Sequence, residues 1–337
     1  MGIQVAERLK TPQAGNLTMP EIVADMEKVE ERLRELASAQ SRFIGDLCRY
    51  LIAGGGKRIR PLLVILSARF FPHDPEGAIE VAATTELIHM ASLIHDDIID
   101  GARTRRGRET VNALWGNHVS VLAGDFLFAR ALTTLGRLDH DGRLGLVRLM
   151  SEAIAVMCEG EIEQTCQTFN CDLTEADYMD QIRKKTAHLM GVSCYAGAII
   201  GRAPERQARA MMRYGLELGC AFQITDDLLD FTGEEGATGK PAGLDLLSGV
   251  LTLPVLYMLR DVRFSPEVKR ILAGRQPSRD DIKTVCEWAR ASGALDYAYQ
   301  RAGHHVEEAK ACLAEMPDGF SKTYLEAVAD QVLIRDR

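Results

Sequence analysis

From about residue 20 onward the apolar residues recur at three- and four-residue spacing almost without interruption, and alternating strand patterns are scarce. A chain written this way can bury its apolar stripes only by packing helix on helix, so the expected fold is all-α. The periodicity predicts a long amphipathic run from Pro20 to about Ile52, a break at "GGGK", and a helix from about Arg58 to Phe71. "FPHDPEG" reads as a turn. Further helices are expected over about 76–100, 110–137, 142–168, 174–201, 204–232, 250–262, 278–291, 293–315 and 319–336. No low-complexity linker interrupts the series, so residues 20–337 are expected to form one large helical domain behind a flexible segment, 1–19.

At 337 residues there is material for a substantial core. The formal net charge of −8 argues against general nucleic-acid binding. Eight cysteines without a C-x-x-C pair suit reduced, mostly structural thiols, not a zinc site or a disulfide frame. The opening residues lack a basic-then-apolar pattern, and the nearest approach to a membrane span, 188–201, is too short and carries Gly and Ser. A cytoplasmic location is expected.

Two stretches repeat one spacing. "ASLIHDDIIDGARTRRG" carries Asp96, Asp97 and Asp100; "FQITDDLLDFTG" carries Asp226, Asp227 and Asp230. On a helix, residues four apart share a face about 6 Å apart along the axis, and like charges so placed repel. A single D-D-x-x-D is most simply a solvated acidic helix end. Here each cluster is flanked by apolar residues, which predicts burial, and buried carboxylates require cations. Hard oxygen ligands of this kind suit Mg²⁺, which commonly bridges carboxylates to phosphates. The loop pattern of an EF-hand is absent.

Basic residues sit in separate groups. Lys57, Arg58 and Arg60 follow three glycines at a helix start, where backbone N–H groups already favour an anion. Arg105 and Arg106 follow the first aspartate helix, Lys184-Lys185-Thr186 lie in "IRKKTAHL", and Lys240 lies in "TGKPAG". Each alone suits a solvated surface. Together with two magnesium-type clusters they suggest a diphosphate substrate, or two, and the apolar helices between them would suit a greasy tail.

With these residues in hand, the chain resembles the trans-type polyprenyl diphosphate synthases over nearly its whole length. The matching elements are "GGGKRIRP", "ELIHMASLIHDDIID" with "RRG", "GDFLFARA", "EGEIEQ", "KKTAHL", "GCAFQITDDLLDFTG", "GKPAGLDL" and "TLPVLYML". The resemblance implies an isoprenoid-synthase fold, a single large helical bundle around a central cavity, usually dimeric. It implies that Asp96, Asp97, Asp100, Asp226, Asp227 and Asp230 hold Mg²⁺, three ions per active site, on the diphosphate of an allylic substrate. Arg105, Lys185, Thr186, Gln223 and Lys240 would grip that diphosphate, and Lys57, Arg60, His89 and Arg106 would hold isopentenyl diphosphate. A lone His on a buried helix is usually structural, but His89 lies two turns before Asp96 on the same face. Ionisation, condensation and elimination would then add one five-carbon unit per cycle.

One departure from the family pattern is Glu109, two residues after the R-R-G, where Pro or Ser is usual; it is expected to face solvent. Short-chain relatives place an aromatic about one turn before the first aspartate. Here Ala91 and Ser92 are small, and Ile88, Thr84 and Thr85 follow on that face, so the resemblance implies a long product, roughly C30 to C40, since pocket size limits what fits. It further implies a quinone side chain as the destination, a homodimer, a small regulatory subunit in some relatives, and peripheral membrane contact during product release. A short-chain synthase and a non-catalytic subunit are the alternatives; such subunits typically lack aspartates that are all present here.

Overall fold

The computed structural model describes residues 20–38, 41–232 and 243–334. The expected flexible segment 1–19 and Lys240 lie outside the described residues. The first helices are α1 (Pro20–Leu36), α2 (Arg42–Ala53), α3 (Ile59–Ala68) and α4 (Pro75–Ile99). A two-residue strand pair, β1 (Thr104–Arg105) and β2 (Arg108–Glu109), precedes α5 (Val111–Leu138), α6 (Leu146–Cys166) and α7 (Glu175–Ile182). A π-helical turn over Arg183–Ala187 leads into α8 (His188–Ile200) and α9 (Glu205–Thr232). After them come α10 (Leu244–Leu247), α11 (Leu253–Arg260), α12 (Ser265–Ala273), α13 (Arg279–Ser292), α14 (Ala294–Cys312) and α15 (Phe320–Leu333).

Backbone contacts divide the chain into two compact units. One comprises residues up to 154 with 192–212 and 315–325; the other comprises 155–191, 213–314 and 326 onward. In the first unit α4 is the central element. Asp74 caps it by accepting from the amide of Glu76, and Pro75 occupies the first turn, where a missing N–H costs nothing. Val81, Leu87, Ile88 and Ala91 are fully buried, so the helix is apolar nearly all round and has neighbours on every side. The glycine stripe of α8 lets it lie backbone to backbone on α3: a Cβ on Gly197 would stand 2.3 Å from the carbonyl oxygen of Val64. Beneath this, the buried Arg58 guanidinium joins Glu30 (2.6 Å) and Glu86 (2.8 Å).

The second unit is built around Tyr178, Phe231, Val255, Met258, Val285 and their neighbours. Its α7 and α13 both begin with a capping box, Thr174 with Asp177 and Ser278 with Asp281.

Several boundaries depart from the sequence expectation. The run from Pro20 ends at Leu36, because the Ser38 hydroxyl donates to the carbonyl of Glu35 and competes with the helix ladder. Residues 174–201 are not one regular helix but two joined by the π-turn. The helix α12 was not anticipated, although Ser265-Pro266-Glu267 is a start signal. Two helices, Pro75–Ile99 and Val111–Leu138, are long and apolar enough to cross a membrane, which corrects the reading that no such run exists. The first is an interior helix, 78% of its apolar window being buried. Of the cysteines, 48, 194, 220 and 286 are buried as expected of structural thiols, whereas Cys158 and Cys166 are exposed.

Close approach at Gly197 gives a direct test. Gly197→Ala is expected to cost about 1–3 kcal/mol by overpacking against backbone that cannot move aside. Gly303→Ala, where a Cβ meets nothing within 4 Å, is expected to stabilise by about 0.4–1 kcal/mol. Thermal unfolding of the two variants should therefore shift in opposite directions.

Candidate functional site

In the first unit α4 delivers His89, Asp96 and Asp97 from one continuous helix, and Asp100 caps its C-terminal end. The turn after it folds arginines back over its end. Arg106 and Gly107 both have positive φ (52° and 74°), as a two-residue primed hairpin turn requires, and Arg105 pairs with Arg108 across it. The result is that Arg105 Nε donates to Oδ1 of the buried Asp97 at 2.7 Å. Asn112 supports the same loop, its amide donating to the carbonyls of Asp97 (3.2 Å) and Ala102 (3.0 Å). Nothing in the sequence reading singled out Asn112; only its place just after the R-R-G loop could have flagged it.

Arg106 donates to the carbonyl of Gly55 in the triple-glycine turn, so the hairpin and the start of α3 close on one another. Arg60 lies in that helix, and its buried Nε has no hydrogen-bond partner among the described residues. Burial pushes the Arg60 guanidinium down to about 10, against the opposing pull of Glu86 and Asp96. Burial also holds the His89 imidazole well below its ordinary range, and the charges of Arg60, Arg106, Arg105 and Arg58 reinforce the effect. His89 is thus a neutral ring among four guanidinium groups, an environment that favours an anion. Arg58 is accounted for by its carboxylate partners, while Lys57 is exposed at the turn. Glu109 is exposed, but it also lines a pocket together with Arg105, Arg106 and Arg108.

One turn before the aspartates, Ile88 and Ala91 are fully buried and Ser92 is half-buried, its hydroxyl donating to the carbonyl of His89 at 2.9 Å. Thr84 and Thr85 are buried and likewise bond their own helix.

In the second unit the π-turn carries Lys185 and Thr186. Two glycines let neighbouring helices press on it: a Cβ on Gly160 of α6 would lie 2.8 Å from the Lys185 amide nitrogen, and one on Gly219 of α9 would lie 2.4 Å from Cα of Ala187. Thr186 donates to Oε1 of Gln223 (2.7 Å), whose amide donates to Asp227 (2.7 Å). Tyr178, not anticipated from the sequence, donates to the other oxygen of Asp227 at 2.6 Å. Burial raises the Asp227 carboxyl well above the usual carboxylate range; the charge of Asp245 adds to this and the two hydrogen bonds oppose it. Lys185 pairs with Glu161 at 2.6 Å, and Asp230 accepts from the amides of Leu244 (3.1 Å) and Asp245 (3.2 Å).

The expectation that each aspartate triad is buried is therefore corrected. Only the middle members, Asp97 and Asp227, are buried; Asp100 and Asp226 are exposed, and Asp96 and Asp230 are intermediate. Both clusters lie near a helix end, where outer residues lose neighbours. Among the described residues no three carboxylate, His or Cys side chains converge closely enough to hold a metal ion unaided. The structure brings Arg60, His89, Arg105, Arg106 and Asp97 together in one unit, and Lys185, Thr186, Gln223 and Asp227 together in the other.

Comparison with known proteins fits this helical scaffold. The chain superposes on the crystal structure of a polyprenyl synthase from Caulobacter crescentus CB15, complexed with calcium and isoprenyl diphosphate, with a TM-score of 0.87. The two are 35% identical, over 93% of this chain and 95% of that one. The fold is the all-α isoprenoid-synthase fold. Residues 41–289 match the family model described as polyprenyl synthetase. Heptaprenyl diphosphate synthase component 2 of Geobacillus stearothermophilus is 39% identical over 93% of this chain and 96% of its own length. A short chain isoprenyl diphosphate synthase of Methanothermobacter thermautotrophicus is 37% identical, over 92% and 96%. The chain belongs to the polyprenyl synthetase family and is a prenyltransferase.

The neutral His89 makes a pH prediction. Unfolded, an imidazole takes up a proton near pH 6.5, whereas the folded value is lower, so the unfolded state binds more protons in between. Stability should be undiminished by this group above about pH 6.5 and fall as pH drops below it. In His89→Gln the thermal midpoint should fall less between pH 7 and pH 5 than in the wild type; parallel profiles would count against a buried neutral ring.

Proposed function

We propose that the protein is a long-chain trans-polyprenyl diphosphate synthase, extending an allylic diphosphate with isopentenyl diphosphate for a quinone side chain. The observation that carries the chain-length reading is the wall of α4 before Asp96. Ile88, Ala91 and Ser92 include no aromatic, and Ala91 and Ile88 are fixed by burial. These residues themselves put no aromatic stop in the path of a growing chain.

The donor set suits Mg²⁺. Asp96 and Asp100 share a helix face, as do Asp226 and Asp230, and all donors are hard oxygens. With no three-carboxylate cage among the described residues, an ion held by one or two carboxylates and completed by diphosphate oxygens is the fitting type. Three Mg²⁺ per active site, held by Asp96, Asp97, Asp100, Asp226, Asp227 and Asp230, would neutralise charge on the departing diphosphate. The calcium and isoprenyl diphosphate of the Caulobacter relative support the use of a divalent cation with a diphosphate ligand.

The chain's own residues supply the rest. Arg105, Lys185, Thr186, Gln223 and Lys240 grip the allylic diphosphate, and Lys57, Arg60, His89 and Arg106 hold isopentenyl diphosphate. In the first unit a neutral His89 donates a hydrogen bond without adding charge, while the arginines supply the field. The condensed product loses a proton to the released diphosphate, so no protein nucleophile takes part.

An exposed apolar face on α5, with Leu114, Val121 and Leu122, is proposed as the homodimer contact. The Geobacillus relative is named as a component, which supports a heteromeric partner for this chain as well.

Purified protein incubated with Mg²⁺, farnesyl diphosphate and labelled isopentenyl diphosphate should release products of roughly C30 to C40, since no wall residue stops growth earlier. Asp96→Ala should reduce turnover by about a hundredfold or more, and Ala91→Phe should shorten the product. Products ending at C15 or C20 from the wild type would overturn the long-chain reading. Separately, Leu122→Glu should convert a dimer to a monomer in sedimentation with the helical content unchanged; an unaltered dimer would place the interface elsewhere.

A further inference from the structure

The motif "EGEIEQ" has no place in the chemistry so far, yet its second glutamate touches the lysine assigned to the diphosphate. We infer that Glu161 is a positioning residue that fixes the ammonium of Lys185 for the departing diphosphate; this rests on the reading that Lys185 grips the allylic diphosphate. The two charged groups meet at 2.6 Å, with Glu161 only 16% exposed and Lys185 29%.

Three features make the pairing a constructed one. Gly160, the residue before Glu161, lets the backbone of α6 touch the π-turn at Lys184 and Lys185, so the carboxylate reaches the lysine from directly alongside. On the other flank Ala187 is seated against Gly219, which fixes the turn's C-terminal end. The neighbouring Lys184 is drawn away by Glu163 and Asp180, each at 2.8 Å, so the two lysines do not compete for Glu161.

A structural role explains this pair poorly. A part-exposed ion pair contributes little to folding, and a carboxylate near a bound diphosphate repels it. Its use is orientational. Lysine is a point charge on four flexible carbons, and the value of such a charge at a leaving group depends on where it is held. Glu161 therefore acts mainly on turnover, not on ground-state affinity.

The test is a double-mutant cycle read by steady-state kinetics. Glu161→Ala should lower kcat about tenfold or more, with KM for farnesyl diphosphate unchanged or lower. Glu161→Gln, which keeps an oxygen that accepts from the ammonium, should recover much of the loss. Glu161→Ala combined with Lys185→Ala should be no slower than Lys185→Ala alone, because one interaction is removed twice. Wild-type kcat in Glu161→Ala beside an impaired Lys185→Ala would overturn the inference and leave the Lys185 reading intact. Wild-type kinetics in Lys185→Ala would overturn that reading, and the inference with it. Additive losses would show that Glu161 acts by another route. Should Glu161→Ala fail to fold, Glu161→Met, which fills similar space without a carboxylate, completes the cycle and its coupling to Lys185→Ala decides.

Discussion

Carboxylates three and four residues apart on one helix repel, and the structure is organised around containing that repulsion at two places. The solutions differ. Asp97 is met by a guanidinium, Arg105, folded back by a hairpin two residues long in each strand. Asp227 is met by neutral donors, Tyr178 and Gln223, and its carboxyl is accordingly driven upward by burial. Asp230 uses the amides of Leu244 and Asp245, the free donors of a helix start. In each triad the middle member is buried, and one outer member, Asp100 or Asp226, is exposed.

The helices were legible because burial on one or all faces imposes a period, and the aspartate motifs because their spacing matches that period. What the sequence concealed was local backbone geometry. The hairpin at Arg106-Gly107 depends on two positive φ values, and Arg106 is not a residue that announces one. The π-turn at Arg183–Ala187 adds a residue to a helix without any compositional mark, and the glycines that let neighbouring helices press on it, Gly160 and Gly219, are far away in sequence. Tyr178 was hidden for a similar reason. It sits 49 positions from Asp227, and only the packing of α7 beside α9 brings its hydroxyl to the carboxylate.

Positive charge is handled with comparable economy. Arg58 is consumed by Glu30 and Glu86 and shapes the turn on which its neighbours stand. Arg105 is held by Asp97 and Lys185 by Glu161, so two of the cations assigned to phosphate arrive already oriented. Arg60 differs, its buried Nε having no acceptor among the described residues. A buried donor of that kind costs stability unless an acceptor is supplied, and an anionic ligand is the acceptor that also answers the surrounding charge.

These arrangements explain how an acidic protein can select an acidic ligand. The net charge of −8 is a property of the whole surface and is screened over about 8–10 Å at physiological salt. The cluster of Arg58, Arg60, Arg105 and Arg106 acts within that distance and strongly enough to reinforce the neutral state of His89. A long polyanion would meet the repulsive surface along most of its length, whereas a diphosphate with an apolar tail is small enough to be governed by the local field. The global charge therefore disfavours nucleic acid and leaves a compact diphosphate unaffected.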